Sequence, residues 1–470
     1  MTISTGEGAI EGGTAGVIAL NRGSGGLTFT GGSGSITGVT EYGVVARNYN
    51  GGDVYVSVSG DVTSEMAISG EYDALNVINN AGGGSVTVKT GAGTISGTDG
   101  GIQVTNRGVG DLDFEGGTGL ITGRDGLVVS HANIGDVTVS IAGDVTATGG
   151  RAISVSKGLG FGGVDISLGA GSINGTLRGV SAVSSGTGDL TFTGGTGSIT
   201  SGGHGVELEN NGESAVIATI TGAVTATSGD AIGVTVSNTN ADGTYVDVQT
   251  GAGAITAGGY GVVVSNAGIG DLTFTGGAGA ITGAKGGVIL QNQNGGSVSA
   301  SVQSDVTGER NNYYGILIDN GAGGTSLDLT ITDASVQGGT GVLATNNGTG
   351  DLTIEATGDG AIAGFYDGIR ARSYYGGAVA ISVEGDVTGT AGRGILAYNG
   401  PDGTSVSVTT GAGDVAGGDV GVLAGNNGSG DLTFSGGAGS ITGGGDGIIL
   451  LNQNGGAVSA SVQSDVTGER

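Results

Sequence analysis

Chemistry needs nucleophiles, acids and bases, or metal ligands brought to one place, and this chain carries few of them. It has no cysteine, and its only histidines are His131 and His204. Both fall in or beside short alternating apolar stretches and read as solvent-facing corner or strand residues. Two imidazoles without matching ligands do not make a transition-metal site. Cleavage of a glycosidic bond would need two carboxyl groups converging on one face. The best local pair is Asp113 and Glu115 in DLDFE, which strand alternation turns outward together. Lys89, one repeat earlier, is their expected neighbour, so a cross-strand charge ladder accounts for them without catalysis. Glu207 with Glu209, and Arg370 with Arg372, find no charged partner at the equivalent positions of adjacent repeats and read as solvated faces. No catalytic residue is assigned, no organic cofactor is expected, and the chain reads as non-enzymatic.

Asp111 and Asp136 occupy equivalent points of adjacent repeats. Calcium between them is the one metal reading left open, with solvated repulsion the simpler alternative. Tandem calcium-binding nonapeptides are not present: GGGDGIIL at 443–450 approaches that motif once and nothing follows in tandem. An ice-binding array would need Thr-x-Thr on successive repeats, whereas Thr28/Thr30, Thr191/Thr193 and Thr273/Thr275 lie far apart. No glycine motif is followed by Lys-Ser/Thr or opens a helix, so none is a phosphate loop. Tyr313–Tyr314 and Tyr374–Tyr375 fall at expected corners, where rings could stack on sugars or on a neighbouring copy. Packing against glycine is the plainer expectation for them.

Composition narrows the frame that must hold these residues. Among 470 residues there are 112 glycines, one proline (Pro401), no tryptophan and two methionines, Met1 and Met66. Ordinary domains carry about 7% glycine. Hydrophobic residues at 36% against charged residues at 12% exclude a disordered chain. Val, Ile, Leu, Thr and Ser punctuated by Gly and Asn is the composition of strands and turns. A net charge of −28 excludes nucleic acid as a partner. No apolar run is long enough to cross a membrane as a helix, and MTISTGEGAI has none of the features of a signal peptide.

The chain repeats itself. The motif G-x-G-D-L recurs with its acid at Asp111, Asp189, Asp271, Asp351 and Asp431, the last three 80 residues apart. VSASVQSDVTGER closes both Val298–Arg310 and Val458–Arg470. Super-repeats of roughly 80 residues begin near residues 26, 111, 189, 271, 351 and 431, and each holds three shorter units of about 26 residues. Each unit opens on an alternating stretch anchored by an apolar residue: Leu27, Val54, Val86, Leu112, Val137, Val164, and so on to Val458. A short apolar landmark follows, such as Ile95, Ile281 or Val306. Then a second alternating stretch begins after glycine: GIQVTN, GVELEN, GILIDN, GIRARS. Period-2 alternation turns Val206 and Leu208 inward and Glu207 and Glu209 outward.

A unit with three short strands cannot bury its own apolar face, but stacked units can. The expected fold is therefore all-β: one chain wound as a parallel β-solenoid (β-helix) over residues 1–470, with about eighteen coils of about 26 residues and three strands per coil. At about 4.8 Å per coil this would span on the order of 85 Å. Gly135, Gly163, Gly270 and Gly296, each just before a first strand, are expected to supply positive φ at corners. Placing the GDL acid on every third coil separates like charges by roughly 14 Å, beyond the ~8 Å Debye length. Extra residues before the third strand, in TSEMAISGEYDALNV and GERNNYYGI, are expected to bulge from one edge.

Repeated GDLTFTGGAGAITG and NNGTGDL blocks, with little Cys, Trp or Pro, resemble the β-helical passenger regions of Gram-negative autotransporters and filamentous-haemagglutinin-type adhesins. The resemblance covers essentially the whole chain and is one of style. It implies a right-handed parallel β-helix, export to the cell surface, and roles in adhesion, aggregation or a surface coat. The partners implied are cell-surface or matrix glycans and further copies of the chain, joined head to tail or laterally. A self-assembling filament or surface-layer subunit, and a polysaccharide-active enzyme, are the alternatives within the same fold.

Overall fold

Three alternating stretches per repeat, separated by Gly-, Asn- and Asp-rich corners, give three short strands per coil. The computed structural model describes residues 1–65, 72–309 and 313–469. These residues form strands and corners, with no helix among them. Strands of successive repeats pair in parallel, with Val86 on Leu112, Ile95 on Ile121 and Ile102 on Leu127. The protein is an all-β parallel β-solenoid of about eighteen three-stranded coils. It comprises two compact units, Met1–Thr227 and Ser228–Arg470. Among the described residues the first unit holds nine strands in the first sheet, nine in the second and eight in the third; the second unit holds nine of each.

Within each unit the anchors stack into aliphatic columns. Val137, Val164 and Leu190 lie in register and are almost fully buried. So do Val145, Ile173 and Ile199 in the second sheet, and Ile153, Val180 and Val206 in the third. Each such side chain contributes about 1.5–3 kcal/mol by leaving water, and it does so only with a coil above and below.

The 80-residue period is written in the lumen. First strands inside the stack turn three residues inward, as in Leu27–Gly31 and Val137–Ile141. In two Leu-x-Phe coils of the first unit these are Leu27, Phe29 and Gly31, and Leu112, Phe114 and Gly116. The coils that follow each of them carry Val54, Val56 and Val58, and Val137, Val139 and Ile141. The phenyl ring takes the room that a Val or Ile fills elsewhere, which leaves only glycine two residues on: Phe114 Cε1 lies 3.2 Å from where a Cβ on Gly116 would sit.

Aspartates at the corners hold each coil to the next. Asp136 Oδ1 accepts the Gly163 amide at 2.9 Å, Asp271 Oδ1 the Ser297 amide at 2.6 Å and hydroxyl at 2.9 Å, and Asp351 Oδ1 the Ala378 amide at 2.7 Å. The second corner repeats the device, with Asp144 on Ser172 and Asp305 on Ser335. So does the third, with Asp125 on Arg151 and Asp367 on Arg393. Charge spacing is therefore not what governs these acids. Asp111 accepts the amide of Asp136 directly at 2.9 Å, and Asp386 that of Asp414 at 2.8 Å, so like acids stack on adjacent coils. A backbone N–H that faces a corner receives a charge-assisted bond instead.

Glycine's role also differs from the one expected. Among the described residues twelve glycines have positive φ; Gly135 and Gly296 are two of them, and Gly163 and Gly270 are not. At Gly270 the demand is spatial, because a Cβ there would collide with the Thr244 carbonyl one coil earlier. Coil-to-coil contact at the corners is backbone on backbone, and it consumes most of the glycine.

Candidate functional site

His131 ends the strand Asp125–His131, where the alternation that buries Leu127 and Val129 carries it inside as well. It is 1% exposed, not solvent-facing as its polarity suggested. Its column is otherwise mostly asparagine. Asn48, Asn79 and Asn106 precede it in register, Lys157 and Ser184 follow it, and Asn266, Asn292, Asn320 and Asn346 continue the pattern in the second unit. Each asparagine closes the third corner. Asn266 Oδ1 accepts the Gly268 amide at 2.9 Å, and its Nδ2 donates to the Gly270 carbonyl at 3.0 Å. His131 imitates this: Nδ1 accepts the Asn133 amide at 3.3 Å while Nε2 lies 2.9 Å from the Gly110 carbonyl. Burial holds its pKa below the ordinary value, and the Lys157 charge adds to the effect. Lys157, 2% exposed, donates to the Asn133 carbonyl at 2.5 Å, and burial lowers its pKa too. His204 is half-buried, in register with Arg178.

Asp113 and Glu115 are exposed, as alternation required. Glu115 forms an ion pair with Lys89, its partner in register, and that bond raises the lysine pKa. The pair sits on an open strand face and does not converge with a third group. Two other expectations need correction. Glu207 meets Arg178 at 2.7 Å, because the arginine opens the preceding coil's third strand and reaches along the sheet. Arg370 bonds Asp367, which is 1% exposed, through Nε at 2.6 Å, and Arg393 approaches the same carboxylate at 3.6 Å. Reading partners only at equivalent positions missed both: Arg178 reaches diagonally to the next coil, and Arg370 turns back to an acid three residues earlier on its own coil.

The Thr-x-Thr pairs of the first sheet do not continue on the following coil: Thr28 stacks on Tyr55 and Thr191 on Ile217. The paired tyrosines meet other rings. Tyr313 packs edge-on against Tyr260 at 5.9 Å, and Tyr374 lies 6.5 Å from Tyr375 and 6.2 Å from Tyr398. Of the two insertions, Met66–Glu71 and Arg310–Asn312 lie outside the described residues. Among the described residues no three acidic or histidine side chains are gathered as a metal site.

The outward face of the third sheet in the first unit carries what the sequence reading did not find. Six successive coils, from the one bearing Tyr42 to the one bearing Leu177, line a groove of about 590 Å³. Its floor is amide and guanidinium. Asn76 Nδ2 donates to Asp73 Oδ2 at 2.8 Å and to Gln103 Oε1 on the next coil at 2.7 Å. Arg124 pairs with Asp99 at 3.3 Å, and Arg151 Nη1 donates to Ser154 Oγ at 3.3 Å. At one end the Arg47 guanidinium lies 5.8 Å from the Tyr42 ring centre, and Tyr72 packs edge-on to that ring at 5.1 Å. Burial raises the Tyr42 pKa, with Arg47 acting against it. Two polar atoms remain unsatisfied: Oδ1 of Asn76, a residue 2% exposed, and Nε of Arg47. The signal was present in the sequence as a column, Val45, Asn76, Gln103, Val128, Ser154, which only register reveals. No protein family, no curated protein and no solved structure matches the chain.

Proposed function

We propose that the chain is a structural and adhesive segment of a large bacterial protein displayed at the cell surface or secreted from it. One observation carries this reading: inward side chains and corner acids are committed to joining coil to coil, while alternate residues of every strand remain on outer faces. Such a fold holds long, repetitive polar surfaces in place, and one of those surfaces is shaped into a groove. A surface of this kind suits contact with other surfaces. The chain's acidity, −28 overall, keeps it dispersed outside the cell.

The test is labelling of the producing bacterium with antibodies against the folded chain. Intact cells or culture medium should carry the signal. Labelling confined to permeabilised cells overturns the proposal. Beads coated with the chain should also be retained on host or bacterial cell layers more strongly than albumin-coated beads.

A further inference from the structure

We infer that the groove on the outer face of the third sheet, between the coils of Tyr42 and Leu177, binds a neutral polysaccharide lying along the direction in which the coils stack. The inference deepens the adhesive reading and rests on it, naming the chemistry of the contact.

Several independent features point to that ligand. Asn76 Oδ1 is buried without a hydrogen-bond partner, and so is Arg47 Nε. Unpaired buried atoms also occur elsewhere among the described residues, as at Oδ1 of Asn292 and Asn320; these two are set apart because both belong to side chains that line one groove. One atom is an acceptor and the other a donor. Both residues face outward on adjacent coils, Asn76 opposite Val45 and Arg47 two residues further on, which puts their backbones roughly 7–8 Å apart on the sheet diagonal. A pair of sugar hydroxyls, each able to donate and accept, satisfies both. A carboxylate could answer only the arginine and would set oxygen against Asn76 Oδ1.

Charge excludes acidic glycans on the same grounds. Asp73, Asp99 and Asp125 line the groove with Arg47, Arg124 and Arg151, so the charged side chains balance. Arg124 is already engaged by Asp99. No cationic surplus is left to hold an anion, and the molecule as a whole repels one.

Periodicity supplies the third argument. Polar groups recur along the run: amides stand in register on two successive coils, Asn76 beside Gln103, and Asp73, Asp99 and Asp125 line three successive coils, at a coil spacing of about 4.8 Å over a run on the order of 24 Å. That step is close to the advance of a pyranose along an extended chain, so a polymer can repeat its contacts where a monosaccharide could make only one. Tyr42, packed against Tyr72 and Arg47, marks the end of the run.

The experiment is calorimetric titration of the whole chain with neutral gluco-, manno- and galacto-oligosaccharides of increasing length, and with size-matched uronate oligomers. At least one neutral series should bind, with affinity rising as rings are added until the groove is filled. Asn76→Ala and Gln103→Ala should each weaken binding about tenfold, equivalent to about 1.4 kcal/mol. Should the buried Asn76 variant misfold by circular dichroism, Ser154→Arg, which fills the open part of the groove from an outward position, replaces it and should abolish binding. Asp113→Asn, on another sheet, should change nothing. Absence of neutral binding, tighter binding of uronates, or unchanged affinity in folded groove variants overturns the inference. Surface labelling of intact cells alongside such a failure would leave the display reading standing. Groove binding with labelling confined to permeabilised cells would remove the display reading alone.

Discussion

Phe274 and Gly276 share one level of the lumen, and the ring's Cε1 lies 3.3 Å from where a glycine Cβ would stand. The next coil solves the same level with Ala300 and Val302. Gly276→Val alone should therefore overpack, costing about 1–3 kcal/mol. Phe274→Ala alone should leave a cavity, costing about 3–5 kcal/mol. The double variant imports the neighbour's solution and should cost clearly less than the two single losses added together; urea denaturation of the four proteins measures the coupling. A second residue prediction concerns pH. His131 stays neutral in the fold to lower pH than in the unfolded chain, because burial and Lys157 oppose its charge, with Asp111 acting weakly the other way. Below its ordinary pKa of 6.5 the unfolded state binds a proton that the folded state refuses, so stability falls as pH drops. His131→Asn, the residue that precedes it in the column, should reduce the loss between about pH 7.5 and about pH 5.5, measured as the shift in urea midpoint. Equal shifts in both proteins would assign the acid sensitivity elsewhere.

Strands and their pairing were largely legible. Anchors such as Val86, Leu112 and Val137 sit in register because period-2 alternation and a near-constant spacing leave one way to stack them. The corners were less legible. Asn266 and its counterparts fall on the buried parity of their strands, but a polar side chain is normally assigned to the surface, and burial here depends on carbonyls and amides supplied by the turn itself. Gly163 and Gly270 were read as backbone-conformation residues when Gly270 is needed for space. The groove was illegible for a different reason: its members are separated by whole coils, and nothing in a linear window joins Asn76 to Gln103. Asn266→Leu should cost roughly 2–4 kcal/mol, leaving a donor and an acceptor buried and unpaired. Asn266→Ser should cost less, since Ser373 holds the same column by bonding the Gly376 carbonyl at 2.7 Å. Thermal melts of the two variants give the order directly.

Taken across all 470 residues, the charge of −28 governs behaviour in solution. At neutral pH the molecules repel one another, and near the sequence isoelectric point of about 4.1 that protection is lost. Light scattering should rise on titration toward that value and fall again above it, with added salt at neutral pH acting in the same sense as acid. Scattering that does not change with pH would place self-association under the control of specific contacts instead.

VSASVQSDVTGER occurs at both Val298–Arg310 and Val458–Arg470, so the chain returns to the same thirteen residues at two points. In both copies the five residues Val298–Val302 and Val458–Val462 form first-sheet strands joined below to GDLTF coils by the same register. A genetic exchange between them would add or remove whole turns without shifting a single inward residue to the outside. Such an exchange would change the length of the chain in whole coils while keeping the strand register on either side of the join.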